Sequence, residues 1–241
     1  MGLPDRINAL LFDLDGVLTG TAELHRQAWK RTFDDFLAHR DGPGFAPFTE
    51  QDYLEYVDGR PRAEGVRQFL ASRGIRLPEG KPGDPPGEGT VHGIGNAKNE
   101  RLLSIIENEG VRPYPGSRRY LEAAKDAGMK IGVVTSSANA EAVLDAADLT
   151  KYVQARVDGR TIVEQGLRGK PAPDPFLAGA KALDETPDQT AVFEDALSGV
   201  AAGRAGEFGY VVGVDRAGQA EALRKSGADI VVEDLAELLE R

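Results

Sequence analysis

The sequence predicts an α/β protein, a doubly wound parallel sheet carrying an inserted α-helical domain. Three observations lead there. After Gly116, short apolar runs alternate with helix-patterned segments, the grammar of β-α-β units. Those runs are apolar throughout rather than alternating, as expected where helices cover both faces of a sheet. Finally, a block of helical periodicity separates the first apolar run from the others, so one continuous segment interrupts the sheet-forming chain. The expected division is a core of residues 1–20 and 106–241 and a helical cap of residues 21–105.

Residues 7–12 (INALLF) form a short apolar run ending at Asp13, which suits a buried strand. From Glu23 to about Ala38 the pattern is helical, with Trp29, Phe33, Phe36 and Leu37 on one face. A second helix is expected from Thr49, an N-cap residue, to about Val57. A third starts at Pro61, places Val66, Phe69 and Leu70 on one side and stops at Gly74. Residues 75–95 are so rich in proline and glycine that no regular element is expected, and composition leaves open whether they form a mobile functional segment or a disordered insertion. Asn96 is expected to cap a helix with Leu102, Leu103 and Ile106 inward, ended by Gly110. Beyond Gly116, helices are expected near Ser117, Ala138, Asp174, Leu197, Gln219 and Asp234, and strands at 130–134, 190–193, 210–214 and 229–232.

The chain has 241 residues, 29 Lys and Arg against 39 Asp and Glu, a net charge of −10, 3 His and no Cys. Without thiols there is no disulfide, Cys nucleophile, Fe–S cluster or zinc finger, and three scattered histidines cannot build a multi-His metal site. Any metal is therefore expected among oxygens. The acidic balance argues against nucleic acid and anionic membranes as partners, and no long apolar run marks a membrane span or leader. A cytoplasmic, monomeric protein is expected, with no nucleic-acid or membrane partner.

In open α/β sheets ligands bind beyond the carboxyl ends of the strands. Four such ends stand out. Asp13-Leu14-Asp15-Gly16 follows the first strand, where an EF-hand fails because Gly16 comes too early and the later ligands are missing. Thr135-Ser136-Ser137 leads toward a helix whose first N–H groups would attract an anion. Gly169-Lys170-Pro171-Ala172-Pro173-Asp174 holds an ammonium on a proline-stiffened segment, and Glu194-Asp195 is a second acidic strand exit. Each alone is ordinary turn or capping material. Together they supply carboxylates for a hard cation, a hydroxyl for a phosphoryl group and a lysine to neutralise its charge. Gly93-Ile94-Gly95 before Lys98 is no nucleotide loop, because it lacks the preceding strand and the G-K-[ST] ending.

These motifs, FDLDGVLT at 12–19, VVTSS ending at Ser137, GKPAPD at 169–174 and FED at 193–195, occur in the order found in the haloacid dehalogenase (HAD) superfamily. The chain resembles that superfamily over essentially its whole length, and within it the β-phosphoglucomutase-like group with a helical cap. The resemblance implies a Rossmann-like core. It also implies that Asp13 is the nucleophile, forming an aspartyl phosphate, and that Asp15 is the general acid and base. Mg²⁺ is implied on Asp13, Asp195 and the Asp15 carbonyl, with Glu194 as ligand or outer-sphere acid. Thr135, the amides near Ser136 and Lys170 would stabilise the charge that develops on the phosphoryl oxygens.

In the cap, the resemblance assigns His25, Arg62 and Lys98 to a sugar phosphate, with Trp29 on the His25 helix face and Arg60 as an alternative to Arg62. Ser137 and Asn139 match positions holding the distal phosphate of a bisphosphate. The pattern departs at Ala138, where Lys is usual, at Gly20, where Asp is usual, and at Ala196, where Ser is usual. The expected activity is Mg²⁺-dependent interconversion of β-glucose 1-phosphate and glucose 6-phosphate. The alternatives are a phosphatase of sugar phosphates or related metabolites, and a sugar-phosphate-binding regulator without turnover.

Overall fold

The computed structural model describes residues 1–240. They divide into two compact units, one of Met1–Gly20 with the chain from Val111 onward, the other Thr21–Gly110.

The first unit is built on a six-stranded parallel sheet. Its strands are β1 (Ala9–Phe12), β2 (Lys130–Val134), β3 (Ala155–Val157), β4 (Thr190–Glu194), β5 (Tyr210–Val214) and β6 (Ile230–Val232). They lie in the order β3-β2-β1-β4-β5-β6, the doubly wound arrangement whose order reverses at β1. Leu11 pairs with Gly132 on one side and Val192 on the other, so β1 is central and every one of its residues is buried. Helices Pro115–Asp126, Ala140–Ala146, Gly159–Glu164, Asp174–Ala182, Leu197–Ala205 and Ala220–Ser226 accompany the strands. Phe176, Val134, Val192, Val200 and Val211 form part of one core cluster. Phe12 stacks on Phe193 at 4.4 Å, with Tyr120 at 5.5 Å from Phe193. Each such fully buried side chain stabilises the fold by about 2 kcal/mol.

Two elements of this unit depart from the sequence expectation. Strand β3 and the helix Gly159–Glu164 were not anticipated. β3 is a three-residue edge strand containing an exposed Arg156, too short and too polar for an apolar-run criterion. The helix expected near Ala138 begins at Ala140, with Asn139 before it.

The second unit is helical: α1 (Thr21–Asp41), α2 (Glu50–Asp52) continued by a π-turn over Tyr53–Val57, α3 (Arg62–Ser72) and α4 (Val91–Glu109). Thr49 and Asp52 form a reciprocal capping box at the start of α2. Trp29, Phe33, Leu37, Phe48, Val66, Phe69 and Ile94 pack into its own apolar core, with Phe33 and Phe69 ring centres 4.2 Å apart.

Helix α4 corrects the expectation at Asn96. Its N-cap is Thr90, whose hydroxyl accepts from the Gly93 amide at 2.9 Å, so Gly93, Gly95 and Asn96 lie within the helix. The glycines that read as loop material serve packing instead. A Cβ on Gly93 would overlap Glu88, and one on Gly95 would press on Arg62 Cγ at 3.2 Å.

The chain passes between the units twice, and the two passages pair within the first unit. Gly20 N–H donates to Arg112 O at 3.2 Å, Tyr114 N–H donates to Leu18 O at 3.0 Å, and Thr19 and Pro113 form an antiparallel bridge. No helix among the described residues is long and apolar enough to cross a membrane.

Candidate active site

The strand exits of the first unit bring their polar residues together. Asp13 follows β1, and its N–H donates to Phe193 O at 2.9 Å, holding the turn against the end of β4. Lys170, buried, donates to Asp13 Oδ1 at 2.7 Å, to Glu194 Oε1 at 2.6 Å and to Val134 O at 3.0 Å. One ammonium thus ties together the ends of β1, β2 and β4. The loop that presents it is clasped by Arg168, whose backbone and guanidinium N–H groups donate to Asp174 at 2.7 to 3.1 Å.

Gly16 sits at φ +98, a conformation costly for a side chain, and a Cβ there would overlap the Asp195 carboxylate. The glycine therefore lets the two acidic turns touch. Asp15, on the same turn, receives the Thr135 hydroxyl at Oδ2, 3.3 Å away. Thr135 Oγ1 in turn accepts from Ser137 N–H at 3.1 Å, and Ser137 Oγ accepts from Asn139 N–H at 3.3 Å. Ser136 and Ser137 lie in the turn that leads into the helix Ala140–Ala146, and Asn139 is its N-cap residue.

Electrostatics set the character of this cluster. Burial alone would lower Lys170, but the Asp13 and Glu194 carboxylates hold it well above the usual lysine range. Burial pushes Glu194 up to about 7 against the pull of Lys170, and the Asp13 charge adds to the push. The two partners do not shift as mirror images because one ammonium serves two carboxylates. Asp13, Glu194 and Asp195 each offer a carboxylate oxygen within 4.8 Å of the others. Three acids against one ammonium leave an excess of negative charge among oxygens only, the donor set that suits a hard divalent cation.

In the second unit His25, Trp29 and Lys98 come together. Lys98 Nζ lies 3.1 Å from His25 Nδ1 and 5.1 Å from the centre of the Trp29 ring. Burial, reinforced by the Lys98 charge, holds His25 well below the usual imidazole range, so the ring is neutral. A neutral ring that accepts from an ammonium at Nδ1 carries its proton on Nε2. Arg62 is bonded elsewhere: its Nη2 donates to Asn96 Oδ1 at 3.3 Å. Asn96 Nδ2 donates to the Pro82 and Asp84 carbonyls at 3.0 and 2.8 Å, anchoring the glycine- and proline-rich segment to α4.

Sequence reasoning missed Asn96 in this role, and missed Asp215-Arg216 after β5 altogether. The signal was present, since Asp215 is a further acid at a strand exit.

Comparison with known proteins agrees with this geometry. The family model for haloacid dehalogenase-like hydrolases matches residues 7–206. The chain belongs to this family. Proteins named β-phosphoglucomutase from Mycobacterium bovis and Mycobacterium tuberculosis are 55% identical over 99% of this chain and 94% of their own length. One from Bacillus subtilis is 33% identical over 96% of this chain and 92% of its own. A crystal structure of β-phosphoglucomutase from Clostridium difficile matches 96% of this chain and 93% of that one, with TM-score 0.75 and 29% identity. Within the family, the chain falls in the β-phosphoglucomutase-like group of phosphoryl-transfer enzymes.

Proposed function

We propose that the protein is a Mg²⁺-dependent β-phosphoglucomutase, interconverting β-glucose 1-phosphate and glucose 6-phosphate through a bound bisphosphate. The observation that carries this reading is the 55% identity, over nearly the whole chain, to relatives of that name. The acidic cluster supports it.

Asp13 would attack phosphorus, forming an aspartyl phosphate as the bond to the leaving oxygen breaks. Asp15, oriented by the Thr135 hydroxyl, would give that oxygen its proton. In the second half-reaction a sugar hydroxyl would return a proton to Asp15 while its oxygen takes the phosphoryl group from Asp13. Mg²⁺, held by Asp13, Asp195, the Asp15 carbonyl and Glu194, would supply positive charge against the phosphoryl oxygens. Lys170 holds the Asp13 carboxylate in place, and with Thr135 and the turn at Ser136 would add donors where charge develops. His25, Trp29 and Lys98 would orient the sugar, the Nε2 proton of His25 making it a donor to a sugar oxygen. Arg62 would join them on the sugar phosphate, its bond to Asn96 favouring it over Arg60, and Ser137 and Asn139 would hold the distal phosphate.

A second reading, hydrolysis of sugar phosphates, is favoured by Ala138, which leaves the turn of Ser137 and Asn139 one positive charge short of the family pattern.

Phosphorus NMR of β-glucose 1-phosphate with catalytic bisphosphate and Mg²⁺ should show glucose 6-phosphate accumulating, and Asp13→Asn should abolish turnover. Inorganic phosphate as the sole product would establish the phosphatase instead. Undiminished activity in Asp13→Asn would remove both readings.

A further inference from the structure

The segment after β5 contacts both acidic turns from outside. Asp215 N–H donates to Val232 O at 2.8 Å, anchoring the segment to β6. The Asp215 carboxylate accepts from the amides of Ala217, Gln219 and Ala220 at 3.2, 2.8 and 3.0 Å, so residues 215–220 form a closed turn of fixed shape. From that turn two side chains reach back. Arg216 Nε donates to Gly16 O at 2.9 Å, and Gln219 Nε2 donates to Asp195 O at 3.1 Å.

Arg216 is itself held on its face and its far edge. Its guanidinium lies 3.8 Å from the centre of the Tyr114 ring, and Nη1 donates to Glu233 O at 2.5 Å. A planar group with a stacked face and two occupied edges has one orientation, which a lysine ammonium cannot reproduce.

The two accepting carbonyls belong to informative peptides. The Gly16 N–H donates to Thr19 O at 2.8 Å, so the peptide before Gly16 is fixed within its turn while Arg216 fixes the peptide after it. Because a trans peptide is planar, fixing the Gly16 N–H also fixes the direction of the Asp15 carbonyl. The Asp195–Ala196 peptide is held at both ends, its carbonyl by Gln219 and its N–H by Glu194 Oε2 at 3.0 Å. Gln219 is thereby linked through one peptide to Glu194, and through Glu194 to Lys170 and Asp13.

We propose that Arg216 and Gln219 are positioning residues that lock the Asp13–Gly16 turn and the Glu194–Asp195 turn in the relative placement needed to hold a divalent cation. The proposal rests on the acidic cluster being the cation site of a phosphoryl-transfer enzyme. Both act through the backbone carbonyls of the two acidic turns. Their effect is to keep the carboxylates and the Asp15 carbonyl converged without relying on the cation to gather them.

The test compares Arg216→Met, Arg216→Lys and Gln219→Met with the parent by calorimetric titration with Mg²⁺ alone, with kcat and KM on β-glucose 1-phosphate, and with amide hydrogen exchange. Arg216→Met and Gln219→Met should each weaken Mg²⁺ binding by roughly tenfold or more. They should lower kcat at saturating sugar phosphate while leaving KM for the sugar close to the parent value. Arg216→Lys should recover only part of the loss. Exchange should rise at Gly16 and Val17 in Arg216→Met, and at Asp195 and Ala196 in Gln219→Met. Weakened thermal stability with an unchanged Mg²⁺ dissociation constant would overturn the proposal and leave the functional reading intact. A parent protein that binds no Mg²⁺ would overturn both.

Discussion

Glu194 and Lys170 show how far burial can be used to tune a few charges. Lys170 is fully buried, yet it keeps its proton because two carboxylates lie within 2.7 Å of its nitrogen. Glu194 has one ammonium to share with Asp13 and is pushed up from 4.5 to about 7. Between those two values the folded, cation-free protein binds a proton that the unfolded chain has already lost. This group's contribution to stability therefore falls as pH rises from about 4.5 to 7. If Glu194 belongs to the proposed cation site, Mg²⁺ competes with the same proton, so its binding should weaken as pH falls from 8 to 6, with protons released on binding at the lower pH. Titration calorimetry in buffers of different ionisation enthalpy measures both. A dissociation constant flat across that range would remove Glu194 from the cation site.

At the level of helices, strands and loops, the sequence was most legible where a local pattern has one meaning. The carboxylates of Asp13 and Asp195 stand at strand ends, and an apolar run followed by such a residue marks its own place at the sheet edge, whereas Lys170, expected at a strand end, lies in the loop between the helices Gly159–Glu164 and Asp174–Ala182 and reaches the strand ends through its side chain. The segment before α4 was illegible for a physical reason. Glycine is required both where backbone must be free and where a neighbour must come close, and composition does not separate the two. Gly93 and Gly95 belong to the second kind, and both lie inside α4. Arg216 was passed over because an arginine in a turn reads as solvated charge, whereas its partners at Gly16 and Tyr114 are distant in sequence. The proline-rich segment also acquires a use, because Asn96 spends both donors on it and so turns its acceptor toward Arg62. On the proposed role of Arg62, Asn96→Ala should therefore raise KM for the sugar phosphate roughly tenfold, the loss of one hydrogen bond to a charged group of about 1.5 kcal/mol, with kcat nearly unchanged. Steady-state kinetics decides it, and an unaltered KM would detach this segment from substrate binding.

Taken whole, the chain is one sheet-forming protein into which a helical unit has been inserted at a single point, between Gly20 and Val111. The insertion is sterically cheap because the two passages are hydrogen-bonded neighbours, Gly20 to Arg112 and Leu18 to Tyr114. The inserted unit also has its own core, from Trp29 through Ile94. Residues 21–110 expressed alone should give a helical circular dichroism spectrum and a cooperative thermal transition, as expected of a segment with an independent core. A spectrum of unfolded chain would show that the aromatic cluster depends on the remainder. The same distribution of side chains has an optical consequence. The sequence holds a single tryptophan, and Trp29 stacks on Phe33 at 5.0 Å with the Lys98 ammonium over its ring. Its emission is therefore a built-in reporter of one locus. A ligand that draws Lys98 away from the indole should shift the intensity, whereas events confined to the sheet-forming unit should leave it dark to them, so occupancy of the helical unit can be followed without a label.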